Sequence, residues 1–372
     1  MEHSARGMKI AIDVHSIGTQ AGGNETYFRQ LLRGLTLDKS DHEYTVFYIH
    51  PAAMEETRGD PRFRFVAIPK TPVVRIGLTL PWKLRLLRPH IFHCQYIQPP
   101  FTACKTVVTI HDLAHEHYPE FFHPAEAMRM KRMVRSTAKK TGHITTVSEF
   151  SAADIAKRFG VPREKISVSY LAASEEFHPR EKEWCQEHLA RKYGLSFPFI
   201  LYVGRIQARK NLLRLVEAYS HLRRQGVSEK LVLAGKQDWQ AEKLLAKIKE
   251  LRLEDSVVFT GYISWDDLPV FYNAAELFVF PSIFEGFGLP VLESMASGVP
   301  TITSFGSSLE EVAGEGALLV DPLDVGSIAD AMQKVLGDRD LRGQLIERGL
   351  RRSAQFSVQK FAGKLLEVYS TM

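Results

Sequence analysis

The chain has 372 residues, which at roughly 150 residues per domain predicts two domains rather than one small module. Hydrophobic residues make up 45% of the chain and charged residues 24%, so the composition excludes a disordered or fibrous protein. The net charge of +5 is too small at this length to indicate a nucleic-acid partner.

The cysteines and the N-terminal residues bear on the cellular compartment. Three cysteines at spacings that fit no zinc or redox motif indicate structural thiols in a reducing compartment: Cys94, Cys104 and Cys185. Residues 1–7 resemble no signal peptide, and a start at Met8 would make them an extension. The sequence contains no run of about 18 apolar residues, so it predicts no transmembrane helix. We expect a cytoplasmic protein, with the inner face of the membrane as an alternative position.

Short β-branched apolar runs alternate with helical patterns along the whole chain. Runs that are apolar on both faces are typical of parallel strands covered by helices on each side. The first series is Lys9–His15, Tyr44–His50, Phe63–Pro69, Ile91–Tyr96, Lys105–Leu113, His143–Ser148 and Lys165–Leu171. The second series is Phe199–Arg205, Lys230–Gly235, Ser256–Tyr262, Leu277–Pro281, Pro300–Ser304 and Ala317–Pro322. The alternation predicts right-handed βαβ units and two Rossmann-like, doubly wound α/β domains.

The segment between the two series is rich in charge and proline and is the best linker candidate. We therefore predict an N-terminal domain over residues 1–175, a linker over 176–198 and a C-terminal domain over 199–355. The last segment, 356–372, reads as an amphipathic helix that packs on either domain, with a return to the N-terminal domain as one option. Two such domains facing each other would leave a cleft at the carboxyl ends of their strands, where open α/β sheets bind ligands.

A glycine-rich loop follows the predicted strand that ends at Pro281. Gly286 and Gly288 permit close approach of a ligand to the backbone, and Pro290 suits the first turn of a helix that begins near Leu289. The free N–H groups of such a helix would favour a diphosphate or sugar hydroxyls. Glu285 in the loop and Glu293 on the helix can reach one bound molecule, and this pair suits a ribose and a sugar better than a metal. The alternative is an ordinary α/β unit with two incidental acids.

A second loop is basic and follows the predicted strand that ends at Gly204. Arg205 leaves the strand at its carboxyl end, and Lys210 stands at the start of the next helix. Both can converge on one diphosphate, the arginine through paired hydrogen bonds and the lysine as a point charge. The alternative is a solvated basic turn, a description that fits Arg209 better than its neighbours.

In the N-terminal domain, glycines follow the first strand and a histidine follows the fifth. The spacing of Gly18, Gly22 and Gly23 is neither a dinucleotide fingerprint nor a P-loop, although their N–H groups could meet a phosphate across the cleft. His111 stands at the carboxyl end of its strand, where function clusters, and a structural histidine is the alternative. A metal site at His111 with His115 and His117 is disfavoured, because no further ligands are evident.

A basic helix is predicted over residues 128–140. Lys131, Arg135 and Lys139 share one face, opposite an apolar stripe. The structural interpretation is a surface helix with a solvated basic face. The functional interpretation is a contact with an anionic membrane along Arg129–Lys140. Pro81–Arg88 adds a second basic and apolar segment in the same domain.

Taken together, these motifs resemble the retaining GT-B glycosyltransferases, specifically glycosyltransferase family 4 (group 1). The resemblance covers nearly the whole chain and rests on these segments: Glu285–Glu293, Gly204–Arg205 with Lys210–Asn211, Leu231–Gly235, Phe259–Tyr262 and Thr146–Ser151. It implies a GT-B fold with two facing domains, a cleft between them, and a nucleotide-sugar donor held mainly by the C-terminal domain. The acceptor would lie on the N-terminal side.

The resemblance also implies a role for each candidate residue. Arg205 and Lys210, beside Gly204, would bind the diphosphate, and Glu293 the ribose. Glu285 and the backbone of Gly286, Phe287, Gly288 and Leu289 would hold the donor sugar, and the region of Tyr262 the base. Gly22 and Gly23 would approach the phosphates, and His111 would lie beside the transferring sugar. Asn24–Thr26 departs from many relatives, which have a small or glycine-containing run there.

Substrate and mechanism follow as further expectations. Thr109–Leu113 followed by Tyr118–Glu120 resembles mannosyltransferase-type members that build O-antigen and exopolysaccharide, which favours GDP-mannose. No N-terminal carboxylate is an evident nucleophile, so we expect front-face substitution with retention, without a metal or cofactor. The partners would be a nucleotide sugar and a glycan or lipid-linked acceptor, with a soluble sugar or small metabolite left open as acceptor. The alternatives are a GT-B-like epimerase and a non-catalytic nucleotide-sugar sensor.

Overall fold

A computed structural model describes residues 7–20, 22–236 and 241–372. Residues 1–6 of the proposed N-terminal extension lie outside the described residues. The chain divides into two compact units. The first holds the described residues up to Ala172 together with Ser357–Met372, and the second holds Ala173–Phe356. No helix among the described residues combines the length and apolarity needed to span a bilayer.

The described part of the first unit contains one seven-stranded parallel sheet. Its strands are β1 Lys9–Asp13, β2 Glu43–Tyr48, β3 Phe63–Ala67, β4 Ile91–Gln95, β5 Lys105–Thr109, β6 His143–Thr146 and β7 Ile166–Val168. They lie in the order β3-β2-β1-β4-β5-β6-β7. The helices are α1 Gly23–Leu37, α2 Pro72–Val74, α3 Leu80–Leu87, α4 Ala114–His117, α5 Pro124–Lys140 and α6 Glu149–Phe159. A π-helical turn, Arg75–Thr79, joins α2 to α3.

The described part of the second unit contains a six-stranded parallel sheet. Its strands are β8 Phe199–Val203, β9 Lys230–Ala234, β10 Val257–Gly261, β11 Leu277–Phe280, β12 Thr301–Ser304 and β13 Leu318–Val320, in the order β10-β9-β8-β11-β12-β13. The helices are α7 Lys182–Tyr193, α8 Leu212–Arg224, α9 Ala241–Glu250, α10 Leu268–Ala274, α11 Leu289–Ala296, α12 Ser308–Ala313, α13 Val325–Gly337 and α14 Arg339–Ser353. The chain ends with α15 Val358–Thr371 in the first unit.

The strand order places the loops that matter for function. Strand order reverses between β1 and β4 in the first unit and between β8 and β11 in the second. Loops at such a switch point diverge to opposite sides of the sheet and open a crevice at its carboxyl edge. The basic loop after β8 and the glycine-rich loop after β11 therefore leave the second sheet side by side. Each strand segment predicted from the sequence overlaps a strand of the structure, so the prediction of two doubly wound α/β sheets is confirmed.

The segment proposed as a linker, 176–198, contains helix α7 and belongs to the second unit. Cys185 and Leu189, four residues apart, are buried on one side of this helix. Lys192 Nζ lies 2.6 Å from a carboxylate oxygen of Asp267, and Tyr193 donates a hydrogen bond of 2.7 Å to the same oxygen. Helix α7 therefore docks on the second unit through its apolar side, and Lys182 at its start pairs with Glu276.

Helix α15 packs against α1 within the first unit. The Phe361 and Tyr27 rings are in edge contact at 5.0 Å, and Ser169 donates a 2.7 Å hydrogen bond to the carbonyl of Phe361. Near the end of the helix, the Tyr369 hydroxyl is 2.6 Å from Nδ1 of buried His93. The last helix is thus fixed to the first unit by both apolar and polar contacts.

The carboxyl ends of β8 and β9 approach so closely that position 235 requires glycine. A Cβ added to Gly235 would lie 1.9 Å from the carbonyl oxygen of Gly204. We expect Gly235→Ala to lower the free energy of unfolding by about 3 kcal/mol, because the backbone must shift to relieve this overlap. Urea unfolding measures the change. Gly343→Ala is the matched control, since its site on α14 is open, and unchanged stability of Gly235→Ala would contradict this packing.

Candidate active site

The loop after β11 is held in a fixed shape at the start of α11. Gly288 caps this helix with φ +112, and a Cβ there would lie 2.4 Å from a methyl group of Leu309. Ser308 donates hydrogen bonds to the carbonyls of Glu285 and Phe287 at 2.7 and 3.1 Å. These contacts explain why glycine recurs in the loop and why its backbone is rigid. The first N–H groups of α11 are left for a polar group at the carboxyl edge of the sheet.

Glu285 is buried and carries a paired negative charge. Lys210 Nζ lies 2.6 Å from one carboxylate oxygen and Arg209 Nη1 lies 2.8 Å from the other. The Ser282 hydroxyl donates a further hydrogen bond. Burial alone would raise the pKa of Glu285, but Arg209 and Lys210 outweigh it and lower the pKa to about 2. The carboxylate is therefore ionised throughout the neutral range.

The basic turn after β8 is tied to the β11 loop by its backbone. Asn211, in the left-handed conformation at φ +63, donates a 3.1 Å hydrogen bond to the carbonyl of Pro281. The carbonyl of Arg209 accepts from the Ile283 N–H at 3.1 Å. Lys210 Nζ also lies 4.8 Å from the centre of the Phe280 ring, on the last residue of β11. Residues 75 positions apart in sequence thus form one small cationic and anionic cluster.

The three basic residues of this turn occupy different places. Lys210 and Arg209 both contact Glu285, whereas the Arg205 side chain is exposed at the end of β8. Arg209 is the residue whose role the sequence does not predict, since its pattern favours a solvated turn. The short 3₁₀ turn Ala208–Lys210 presents Arg209 and Lys210 to the same carboxylate. Only the identity of the buried partner, Glu285, could have revealed this.

Glu293 is also buried, but its environment is the opposite of that around Glu285. Its described side-chain hydrogen bond comes from the Tyr272 hydroxyl at 2.9 Å, within the apolar interior of α10 and α11. Burial raises the pKa of Glu293 to about 7. The two acids of the motif therefore differ at neutral pH. Glu285 is fully ionised, whereas Glu293 populates both its protonated and its ionised form. A protonated carboxyl donates a hydrogen bond and an ionised one accepts it, so either form can bind a diol.

Replacing Glu293 with glutamine should remove a pH dependence of stability. Between the ordinary pKa of 4.5 and the folded value of about 7, the folded state retains a proton that the unfolded state releases. The free energy of unfolding therefore falls as pH rises from 4.5 through 7, by on the order of 3 kcal/mol for this group. Urea unfolding at pH 5 and pH 8 should show this fall in the wild type and in a Glu347→Gln control, which changes an exposed acid. The same fall in Glu293→Gln would contradict the assignment.

Two further residues of the second unit lie beyond this cluster. Gly261 ends β10 in the left-handed conformation, at φ +68, and Tyr262 after it is exposed. Gly204 lies at the end of β8 with φ +150, next to the aromatic ring of Tyr202. Both therefore stand at the carboxyl edge of the sheet, the edge at which open α/β sheets bind ligands.

His111 in the first unit is buried and retains an unused hydrogen-bonding atom. Its ring contacts Tyr27 and Tyr96 edge-on, at 4.9 and 5.6 Å between centres. Nε2 has no hydrogen-bond partner among the described residues. Burial lowers the pKa of His111 to about 3, so the imidazole is neutral at physiological pH. A neutral ring with an unpaired nitrogen can form a hydrogen bond with a sugar hydroxyl.

In the glycine-rich loop of the first unit, a glutamate at the start of α1 accepts a hydrogen bond from the loop backbone. Gly22 caps α1 with a positive φ of +61, and an added Cβ at Gly22 or Gly23 would meet open space. Glu25 accepts a 3.0 Å hydrogen bond from the Gly18 N–H and pairs with Arg29 at 2.8 Å. The departure noted at Asn24–Thr26 thus has a structural role, because Glu25 fixes the loop conformation.

His117 is paired with an acid, whereas Nε2 of buried His115 has no hydrogen-bond partner among the described residues. His117 lies 2.8 Å from Asp154, and His115 is buried under the adjoining helices. Among the described residues, no group of three or more His, Cys, Asp or Glu side chains is placed to hold a metal ion.

Comparison with known proteins agrees with this geometry. The model of the glycosyl transferases group 1 matches residues 187–352, and that of Glycosyltransferase Family 4 matches residues 21–175. O-antigen chain mannosyltransferase B of Escherichia coli is 33% identical over 78% of this chain and 77% of its own length. The serotype-specific mannosyltransferase WbdA of Escherichia coli is 34% identical, but this chain spans only 29% of its length.

Solved structures show the same architecture. Anabaena HepE, solved in complex with UDP-glucose, has a TM-score of 0.77 at 16% identity and covers 98% of this chain and 100% of its own. Two Rossmann-like units with parallel sheets define the GT-B fold, so the expected fold is confirmed. The chain belongs to glycosyltransferase family 4, within the group 1 glycosyltransferases, and is a glycosyltransferase.

Proposed function

We propose that this chain is a retaining, metal-independent mannosyltransferase. It would move mannose from GDP-mannose to a hydroxyl of a glycan or lipid-linked acceptor in O-antigen or lipopolysaccharide biosynthesis. The choice of mannose is supported by the 33% identity to an O-antigen chain mannosyltransferase over most of both chains. The Thr109–Leu113 segment, which resembles the mannosyltransferase-type members, agrees with this choice.

The observation that carries the chemistry is the buried Glu285 carboxylate with Arg209 and Lys210. An ammonium group has three N–H donors, so Lys210 can hold Glu285 and still donate to a phosphate oxygen. Arg205, exposed at the same edge, would supply the second cation for the diphosphate. Glu285 would accept hydrogen bonds from the donor sugar while remaining ionised. Glu293 would bind the ribose hydroxyls.

In the proposed step the acceptor oxygen attacks the anomeric carbon on the face that the diphosphate leaves. The bond from the anomeric carbon to the phosphate oxygen breaks, the bond to the acceptor oxygen forms, and the acceptor proton passes to the departing diphosphate. Lys210, Arg205 and the first N–H groups of α11 would stabilise the charge that develops on that diphosphate. These two cations would neutralise the diphosphate, as a divalent metal does in metal-dependent enzymes. Neutral His111 would hydrogen-bond a hydroxyl of the transferring sugar.

The proposal includes a peripheral contact with an anionic membrane along the basic helix α5. Arg129, Arg132, Lys139 and Lys140 are exposed on it, and its buried residues are Ala127, Val134, Thr137 and Ala138. A positive helix surface of this kind would attract anionic headgroups.

Donor selection can be tested first, before an acceptor is known. The protein is unfolded by heat in the presence of EDTA with a panel of nucleotides and nucleotide sugars. Its unfolding temperature should rise most with GDP-mannose and GDP, and less with UDP-glucose and UDP. A ligand at 100 times its dissociation constant stabilises the folded state by about 2.7 kcal/mol. Selective stabilisation by a uridine donor would overturn the donor assignment. Stabilisation that requires added metal would overturn metal independence.

A further inference from the structure

The imidazole of His111 is oriented by two tyrosines rather than by a bond of its free nitrogen. Its ring makes edge contacts with Tyr27 and Tyr96, and Nε2 has no hydrogen-bond partner among the described residues. Edge contacts between rings depend on the angle between the ring planes. Whatever fixes the two tyrosines therefore also fixes the direction in which His111 presents Nε2.

Both tyrosines are hydrogen-bonded to one residue, Thr109, which precedes His111 by two positions. The Tyr27 hydroxyl donates a 2.9 Å hydrogen bond to Oγ1 of Thr109. The backbone N–H of Tyr96 donates a 2.9 Å hydrogen bond to the carbonyl of Thr109. Tyr96 has the left-handed conformation at φ +51, which costs free energy in a residue other than glycine. Thr109 thus connects the two rings that contact His111.

The hydroxyl of Thr109 uses its full hydrogen-bonding capacity. Besides Tyr27, it lies 2.8 Å from Oγ1 of Thr145 and 2.7 Å from Nε2 of His93. A hydroxyl has one proton to donate and two lone pairs to accept with, so three partners occupy every site. Thr109, Thr145 and His93 are completely buried, where an unpaired polar group is costly. The hydroxyl therefore cannot rotate without breaking a bond that the interior does not replace.

Helix α15 holds the outer end of this buried chain. The Tyr369 hydroxyl contacts Nδ1 of His93, whose other nitrogen contacts Thr109. Burial lowers the pKa of His93 to about 3, so the ring is neutral and has one nitrogen that donates and one that accepts. The same helix places the Phe361 ring against Tyr27. Helix α15 thus supports both the Thr109 hydroxyl and the Tyr27 ring.

Stability alone does not require a polar chain at this place. Apolar side chains of the same shape can replace a paired buried set at little cost in free energy. A fully satisfied network differs from an apolar core because it specifies one arrangement of its side chains. Here the arrangement that it specifies includes the tyrosine ring in contact with His111.

We propose that Thr109 is a positioning residue for sugar transfer. Its hydroxyl fixes Tyr27 and its carbonyl fixes Tyr96, and the two rings aim Nε2 of His111 at the transferring sugar. The inference rests on the proposed function, in which His111 forms a hydrogen bond with a hydroxyl of that sugar.

Two substitutions at position 109 separate the hydroxyl from the packing. Thr109→Val keeps the shape and removes the hydroxyl, whereas Thr109→Ser keeps the hydroxyl and removes a methyl group. With GDP-mannose and a mannose-terminated, lipid-tailed acceptor, Thr109→Val should lower kcat about tenfold and leave the donor KM within about twofold, because misalignment affects the reacting geometry more than donor binding. Thr109→Ser should keep kcat within about twofold of the wild type.

Two further variants control for stability. Thr106→Val is the matched control, because Thr106 is buried on the same strand and its hydroxyl lies 3.1 Å from that of Thr141. Its kcat should equal that of the wild type. Tyr27→Phe removes one partner of the Thr109 hydroxyl and keeps the ring, so kcat should fall in the same direction, by about threefold. Thermal unfolding verifies that each variant is folded.

The ring signals of His111 give a measurement that does not depend on turnover. In NMR spectra of the full chain with ¹⁵N-labelled histidine, these signals are the ones that disappear in His111→Gln. They should shift in Thr109→Val and in Tyr27→Phe, and should stay in place in Thr106→Val. A general loss of stability would not move them selectively.

The proposal is overturned if the His111 signals of Thr109→Val match those of the wild type, or if Thr109→Ser loses as much turnover as Thr109→Val. It is also overturned if Thr109→Val lowers turnover equally in a His111→Gln background, since the hydroxyl would then act by another route. Wild-type turnover in His111→Gln would overturn the inference together with the proposed role of His111. If the wild type transfers no mannose, the proposed function fails, and the His111 signals alone decide whether Thr109 positions the ring.

Discussion

Replacing Lys210 with methionine is expected to lower turnover with the nucleotide-sugar donor by roughly 10²–10³-fold. The ammonium lies 2.6 Å from Glu285, is partly buried, and is proposed to bind the diphosphate. Its removal takes a fixed positive charge away from the leaving group and leaves Glu285 with one described cation, Arg209, beside the Ser282 hydroxyl. Steady-state kinetics of nucleotide release at saturating donor measures the effect.

The controls for Lys210 separate charge at the site from folding. Lys247→Met removes a cation of the same unit that pairs with Glu217 and Glu250, and its turnover should be unchanged. The double variant Lys210→Met with Glu285→Gln should recover about 2 kcal/mol of stability relative to Lys210→Met, because no partly paired carboxylate remains buried. Its turnover should stay low. Wild-type turnover in Lys210→Met would remove the proposed role of this residue.

Replacing Glu285 with glutamine is expected to lower turnover by a similar factor of roughly 10²–10³, because an uncharged amide cannot hold the two cations or the donor sugar in the same way. It should also change stability in acid. The folded pKa of about 2 lies below the ordinary 4.5, so the ionised group stabilises the fold above pH 4.5. This contribution is lost as pH falls from 4.5 through 2.

Urea unfolding at pH 7 and pH 3.5 tests the acid behaviour. The wild type should lose more stability between these two conditions than Glu285→Gln does. The exposed-acid variant Glu347→Gln should behave as the wild type, since that side chain is exposed and pairs with the exposed Arg351. An acid loss in Glu285→Gln as large as that of the wild type would contradict a buried, ionised Glu285.

The sheets were predictable because local patterns determine them. Strand β11, for example, is a run of four buried apolar residues, Leu277–Phe280, bounded by an acid and a proline. Parallel strands covered on both faces have this signature wherever they occur. The turns at Gly204 and Gly288 could also be recognised from the sequence, since each glycine has a positive φ that other residues adopt poorly.

Long-range pairing was not predictable in the same way. Arg209 looked like a solvated residue because its partner, Glu285, is far along the chain. Glu285 and Glu293 are the same residue type and both are buried. Their pKa values shift in opposite directions because two cations outweigh burial at Glu285, whereas burial outweighs the Tyr272 hydrogen bond at Glu293. Helix α7 was hidden by its charge, because only Cys185 and Leu189 reveal its buried side.

The most direct test of the central claim is NMR analysis of the product formed from GDP-mannose and a mannose-terminated, lipid-tailed acceptor. GDP-mannose carries its mannose in the α configuration, so a retaining transferase should yield an α-linked mannoside and GDP, with product formed only when acceptor is present. A β-linked mannoside would contradict retention. A changed nucleotide sugar released without acceptor would identify an epimerase, and unaltered GDP-mannose under these conditions would contradict the proposed mannosyl transfer.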